Sequence, residues 1–447
     1  MSKAHELELK KLTEEQHKIH TPDQSIVEKV DSYFDYSFQK VLWYTIIRNK
    51  ATSSPMTENS ISYKFNSCYQ FILSSFIREM TPEISVKEEY RETVRICWPT
   101  NLANNTILQA VFRIGDIEVS SLDRVWLDFS LNIFAKPNFR KHIRYCNGNR
   151  KSLTEWTTFL PSEPLQVPQP FFYSADSTLA FRLHFFPTTS KVSQDYTFRL
   201  NVADLLRMQV FRDGRWIDLE TVDFSCLNIS PGAKFAQPDL WVNYSCITPL
   251  EIDYQQNCHD NVFYINDVGV CDSTPSKYGQ SVSIPLNSNH QMRAFIFAAE
   301  NLNSSKIRNF SNYTTNTFNK EEGYFPIEKL SLFYTETPEK RFENLPIDHF
   351  YMTEYLNYFP SPPIDKGIGA HAISIHPNNI DIDVAIVPAS LKPILFLDMK
   401  NTDPYEGKVD RDEERIQDPD FIVHVRLLLS KRLVIRKKDD GTYEVDI

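Results

Sequence analysis

The stretch Gln166-Val-Pro-Gln-Pro-Phe-Phe-Tyr-Ser-Ala-Asp-Ser-Thr-Leu-Ala-Phe-Arg-Leu183 decides the fold class. Pro168 and Pro170 remove two amide donors and fix φ, which forbids a helix and leads Phe171, Phe172 and Tyr173 into a strand from an extended edge. Ser174 to Ser177 supply turn chemistry. Leu179, Phe181, Leu183 and Phe185 then place an apolar residue at every second position, the period of a half-buried strand. The stretch predicts two strands meeting at a polar corner, and it holds neither a nucleophile with its base nor a phosphate cradle.

The same alternation extends outward. On the N-terminal side it predicts strands through Tyr63, Phe65, Tyr69, Phe71 and Leu73, then over 84–87 and 94–98. A hairpin follows over 107–119 with its turn at Gly115-Asp116, and apolar residues at 122, 125, 126, 129 and 133 predict a short helix. On the C-terminal side strands are expected at 196–202, 207–211, 215–219 and 239–247. After Pro249 the series restarts at 260–265, 281–286, 290–299, 327–335, 368–376, 393–398 and 420–428, with a last pair at 431–436 and 442–446. Two series of short strands in one chain predict an all-β protein of two sandwiches, divided near Pro249 to Gln256. The segments 134–165, 300–326 and 336–367 are rich in Asn, Ser, Thr and Pro and poor in periodic apolar residues, so they read as surface excursions where neighbouring subunits meet.

Composition agrees. A chain of 447 residues is long enough for two cores. Eleven glycines are few for phosphate-binding loops, whereas 26 prolines and many aromatic residues suit extended segments packed by rings. The net charge of −10 argues against a non-specific nucleic-acid binder. Seven scattered cysteines (68, 97, 146, 226, 246, 258, 271) without a Cys-x-x-Cys pair point to reduced thiols rather than a disulfide scaffold or zinc ribbon. No apolar run reaches the ~18 residues of a membrane span, and the start lacks a signal-peptide core. The Asn-x-Ser/Thr sites at Asn104, Asn228, Asn243, Asn303, Asn309 and Asn312 would matter only on a secretory route.

Residues 1–55 differ in style and read as an N-terminal helical arm. Thr21-Pro-Asp-Gln24 is a capping box, and Ile26, Val27, Val30, Phe34, Phe38, Val41 and Leu42 recur at helical spacing, predicting an amphipathic helix over about 22–48. Its apolar face needs a partner: the chain's own sandwiches, a neighbouring chain, a cement protein or a membrane. The balance of acidic and basic residues in this arm makes membrane the weakest of these.

Several segments, in order, resemble the double jelly-roll major capsid proteins of the nucleocytoplasmic large DNA viruses. Cys97-Trp98-Pro-Thr-Asn101-Leu102-Ala-Asn104, Ala110 to Asp116 and Val125-Trp126-Leu127-Asp128 are similar to that family's "W-x-N-N-L-G-H … I-x-I-G-G … W-L-D". Tyr145-Cys-Asn147-Gly148-Asn149 resembles its "M-I-G-N" turn, Val167 to Leu183 its "V-P-L-P-F" passage, and Leu240 to Tyr244 its aromatic closing strand. His290 to Phe297 and Pro362 to Pro377 match motifs of its second half. The resemblance implies two consecutive eight-stranded jelly rolls side by side, about 56–250 and 251–447. It also implies a homotrimeric pseudo-hexagonal capsomer in the shell of a large icosahedral DNA virus, assembled in the host cytoplasm and contacting other capsomers and minor capsid proteins. Expected "D-E-R-R-R-F" and "P-Y-H-E-V" elements are replaced here by Thr248 to Tyr254 and Phe186 to Ser190, which leaves a minor paralogue or an assembly scaffold as alternatives.

An enzyme is the competing class, since β-sandwiches also host hydrolases. No G-x-S-x-G, H-E-x-x-H or Walker loop is present, and Gly367-Ile-Gly369 is a lone glycine pair. His371 and His376 fall on opposite faces of a strand, and Asp381, Asp383 and Asp410 to Arg415 lack calcium-loop spacing. Lys431, Arg432, Arg436, Lys437 and Lys438 surround Leu433-Val-Ile435 and read as charged edges of a strand. The sequence therefore predicts no catalytic, cofactor-binding or metal-binding residues, no cofactor and no direct nucleic-acid contact.

Overall fold

The computed structural model describes residues 45–66, 71–135, 137–171, 181–182, 192–246, 260–335, 340–360, 362–374, 377, 392–401, 420–438 and 443–447. Eight main strands build a first roll: β1 (Thr45–Lys50), β2 (Ser60–Lys64), β3 (Phe71–Met80), β4 (Ile107–Ile114), β5 (Ile117–Asp123), β6 (Pro164–Pro168), β7 (Val192–Phe198) and β8 (Asp239–Cys246). Eight more build a second: β9 (Asp260–Val270), β10 (Ser281–Pro285), β11 (Gln291–Asn301), β12 (Ile327–Tyr334), β13 (Lys340–Pro346), β14 (Ile368–Ala372), β15 (Pro393–Met399) and β16 (Phe421–Lys437). The first roll pairs as β1-β8-β3-β6 and β2-β7-β4-β5, the second as β9-β16-β11-β14 and β10-β15-β12-β13. Adding eight to each number in the first roll yields the second. The chain therefore carries one eight-stranded, all-antiparallel wiring twice, although its sequence shows no close repeat.

Alternation places the cores. In β6 Leu165 and Val167 are buried between exposed Pro164, Gln166 and Pro168, and among the described residues β6 pairs only with β3, so its prolines stand at an edge where a missing donor costs nothing. Phe171 is buried as expected, and Phe181–Arg182 pairs with β3. The polar corner and the alternating run beyond it, 172–180 and 183–190, lie outside the described residues. The hairpin is present as β4 and β5, joined at 115–116.

The structure corrects three expectations. The helix expected to run to residue 48 does not: Thr45–Lys50 is β1, paired with β8 from Thr45↔Cys246 to Lys50↔Trp241. The β-branched Thr45, Ile46 and Ile47 continue the apolar run of the arm but prefer a pleated surface. The helical arm before residue 45 lies outside the described residues, as does the expected boundary at 249–256. Second, 420–428 and 431–436 form one strand of 17 residues, because β16 is the spine that β9 and β11 both pair along. Third, the three supposed excursions are more ordered than loops. Pro137–Cys146 and Ile347–Asn357 are helices and Lys340–Pro346 is β13, while most of 304–317 is buried.

β11 and β16 explain that burial. Phe295, Phe297, Val423, Val425 and Leu427 point into the second roll's own core. The intervening Ala294, Ile296, Ala298 and Leu428 join a cluster continuous with the first roll. Both faces of this sheet are covered, so β11 reads as an unbroken buried run rather than an alternating one.

Candidate functional site

The covered outer face of β9-β16-β11-β14 is the seam between the rolls, and the helix α1 (Arg124–Ile133) leaves β5 to lie against it. Asp123 caps α1 by accepting from the Trp126 amide at 2.8 Å. The same carboxylate receives Arg426 Nε of β16 at 3.1 Å. One residue later, a single guanidinium nitrogen of Arg124 donates to both Glu300 carboxylate oxygens, at 2.9 and 2.7 Å, a charge-assisted contact. His424 Nε2 lies 3.0 Å from Glu300, and Ser120 donates to Asp267 at 2.7 Å. Burial alone would raise the Glu300 carboxyl, but Arg124 and then His424 hold it well below the usual carboxylate range. It is an anion locked between two rolls.

A second knot is built from residues that carry the family resemblance. Asp128, fully buried, accepts from Asn104 at 2.9 Å, Asn101 at 3.3 Å and the Tyr313 hydroxyl at 2.9 Å. Asn147 accepts the Asn104 amide at 2.9 Å, and Asn149 accepts the Asn101 amide at 2.7 Å. The three motif segments of the first roll therefore converge on one carboxyl group and on a tyrosine of the second. A third knot surrounds Asp365: burial would raise it, but Lys320 and Arg144, at 3.1 and 3.2 Å, and Asn132 hold it at about 2.

Most of the 304–317 part of the 300–326 segment is buried against the seam, which sequence reasoning missed, while Phe318 and Tyr324 beyond it are exposed. A buried irregular backbone must satisfy its carbonyls without a ladder. Here asparagine side chains do so: Asn301 donates to Thr314 O at 3.1 Å, Asn309 to Thr317 O at 2.9 Å and Asn312 to Asn316 O at 2.8 Å. The Asn-rich composition that suggests a solvated loop is a buried scaffold. Its sequence signal was the density of Asn, the residue able to cap backbone groups locally.

The other candidates resolve into structural roles. Gly367 has φ +88°, and a Cβ there would stand 1.8 Å from the Tyr313 carbonyl oxygen. At Gly369 a Cβ would meet the Phe297 ring at 2.3 Å. Gly367 lets the chain entering β14 approach the seam loop at Tyr313, and Gly369 makes room for the Phe297 ring of β11. His371 is buried against Phe295, Phe342 and Phe350, with Nδ1 2.9 Å from Glu354. Lys431 is paired with Asp267 and Lys438 with Glu444, while Leu433 and Ile435 between them are buried. His376, Asp381, Asp383 and Asp410 to Arg415 lie outside the described residues. Among the described residues no group of three or more His, Cys, Asp or Glu could hold a metal ion. Cys97, Cys146, Cys226 and Cys271 are free thiols. Asn104, Asn309 and Asn312 are buried and bonded, so three of the six glycosylation motifs are closed in the folded chain.

The seam can hold two sandwiches at one fixed angle, and its carboxylates are saturated by donors. No family model matches the chain. A major capsid protein of Lymphocystis disease virus 1 is 20% identical over 380 residues, covering 79% of this chain and 78% of its own length. That of Wiseana iridescent virus is 23% identical over 385 residues, covering 78% and 75%. Among solved structures, the PBCV-1 virus capsid aligns with a TM-score of 0.64 at 13% identity, over 90% of this chain and 96% of that one. The Faustovirus major capsid protein aligns with a TM-score of 0.63 at 8% identity, over 87% and 90%. Similar in sequence to iridovirus major capsid proteins over most of its length, and folded like the two solved capsid chains, this chain is a divergent double jelly-roll protein of the kind that the major capsid proteins of large DNA viruses share.

Proposed function

We propose that the chain is a structural capsid protein of a large icosahedral double-stranded DNA virus, and that three copies form a pseudo-hexagonal capsomer. The observation that carries this reading is the duplication: two rolls of identical wiring are fixed side by side by a buried seam. Six similar sandwiches around an axis tile a lattice with one subunit type, and closure of the ring stops open-ended growth. Neighbouring capsomers and minor capsid proteins are its partners, in virions assembled in the host cytoplasm. It uses no cofactor and no catalytic residues, and it does not contact nucleic acid directly. The arm before residue 45, including its membrane contact, belongs to that assembly question. So does the division into an arm, a first roll to about residue 250 and a second roll beyond it.

Quantitative mass spectrometry of purified mature virions tests the reading, with hundreds to thousands of copies expected. A few copies would indicate a minor paralogue, and absence from mature virions alongside abundance in immature particles would indicate a scaffold.

A further inference from the structure

The two rolls repeat one wiring but use it differently. In the first, α1 follows β5 and leans on the outward face of β9-β16-β11-β14, with Arg124 on Glu300 and Asp123 on Arg426. In the second, the equivalent helix α2 (Ile347–Asn357) follows β13 and packs on β12, β13 and β14 of its own roll, with Ile347 and Phe350 in that roll's core and Tyr355 donating to the Ile368 carbonyl at the edge of the seam cluster. Its other side carries Asp348, Met352 and Leu356, spaced i, i+4, i+8 and so aligned in one stripe. Met352 and Leu356, 68% and 72% exposed, are the two most exposed large apolar side chains among the described residues.

The surface equivalent to the one that receives α1 is the outward face of β1-β8-β3-β6. There Trp241 stacks on Phe76, with centroids 6.4 Å apart and planes at 3°. Lys50 stands over Trp241 at 5.4 Å and Arg48 over Phe76 at 5.6 Å. Arg78 and Met80 are exposed beside them. On this face Lys50 is paired with Asp239 at 2.6 Å and Arg48 is bonded to the neutral Asn243 at 2.8 Å, so Arg48 and Arg78 leave it a net positive charge around Trp241 and the largely covered Phe76, while the α2 stripe is apolar with an acid at one end.

We propose that α2 of one copy docks on the outward β1-β8-β3-β6 face of a second copy. Met352 and Leu356 seat against the Trp241–Phe76 pair, and Asp348 meets the arginines Arg48 and Arg78. The contact between copies thereby repeats the seam inside each copy. A head-to-tail contact of this kind closes into a ring when its rotation matches that of the seam. The proposal rests on the capsomer reading and adds which surfaces make the capsomer.

The test uses the full chain. Sedimentation of the wild type should give a species of three times 52.2 kDa, and Met352→Asp with Leu356→Asp should abolish it while the melting curve of the monomer stays cooperative. A wild-type chain that remains a monomer overturns both the capsomer reading and this inference. A double variant that still forms trimers overturns the inference and leaves the capsomer reading standing. In case the variant fails to fold, a photo-crosslinking p-benzoylphenylalanine in place of Leu356 should label residues 71–80 or 239–246 of another copy. Labelling of its own chain, of other segments, or of a different protein alone would overturn the docking.

Discussion

Removing Glu300 should loosen the joint between the rolls more than any comparable surface change. The Glu300 side chain is 6% exposed and its Arg124 partner 15%, so both charges have left water. Glu300→Ala leaves the Arg124 guanidinium and the His424 ring nitrogen facing each other across a cavity without their anion. Breaking a buried pair from one side costs about 3–5 kcal/mol, because the surviving charge stays desolvated. For a roll of roughly 150–250 residues that is about 6–20 °C in Tm. Arg124→Met with Glu300→Leu removes both charges at similar volume and should return stability to within about 1 kcal/mol of wild type, or above it. The cycle of wild type, two single variants and the double variant, measured by urea unfolding at fixed protein concentration, isolates the coupling. A Glu300→Ala cost below about 1 kcal/mol would refute the picture of a dry, rigid joint.

Other outcomes follow from single residues. Glu79 is buried, accepts a hydrogen bond from Thr106 at 2.8 Å, and is pushed up by burial from 4.5 to about 8. The folded chain therefore holds this proton more tightly than the unfolded chain, and stability should fall as pH rises from 4.5 through 8; Glu79→Gln should remove that loss, and an unchanged profile of melting temperature against pH would contradict it. Gly367→Ala forces a Cβ onto the Tyr313 backbone at a left-handed φ, so thermal melting should show a loss of several kcal/mol, and near-neutral behaviour would contradict the close approach. Deleting residues 1–44 should preserve the folded rolls by near-ultraviolet circular dichroism, whereas deleting 1–53 removes β1 and should unfold the first roll; equal behaviour of the two truncations would contradict the placement of β1.

What was legible followed from period and turn chemistry. Pro168 at a strand edge and the β4–β5 hairpin are local signals with local causes, and each is present, whereas the strand expected at 196–202 lies at 192–198, where the alternation of Val192, Gln194, Tyr196 and Phe198 sets its buried face. Two similar sandwiches were expected from the two strand series and the resemblance, but the strand-by-strand pairing was not legible in the periodicity, because wiring is a property of hydrogen-bond partners far apart in sequence: β1 meets β8 across nearly two hundred residues. The seam was hidden for another reason. Asn101, Asn104, Asp128 and Asn147 could be quoted as motif residues, but nothing local says that they meet, or that Tyr313 reaches them from the other roll. Within 300–326, the stretch 304–317 was misread because burial without periodicity looks like exposure when the polar groups are satisfied by asparagines rather than by water. The continuation of the arm's apolar run into β1 was a contest between helical period and β-branched propensity that pairing with β8 decided.

Cryo-electron microscopy of the purified full chain under assembly conditions tests the capsid account most directly. The account predicts a three-copy ring in which six jelly rolls alternate, first and second, around the axis, with the seam of each chain repeated between chains. Particles containing only isolated double rolls, or rings whose rolls number other than six, would contradict it.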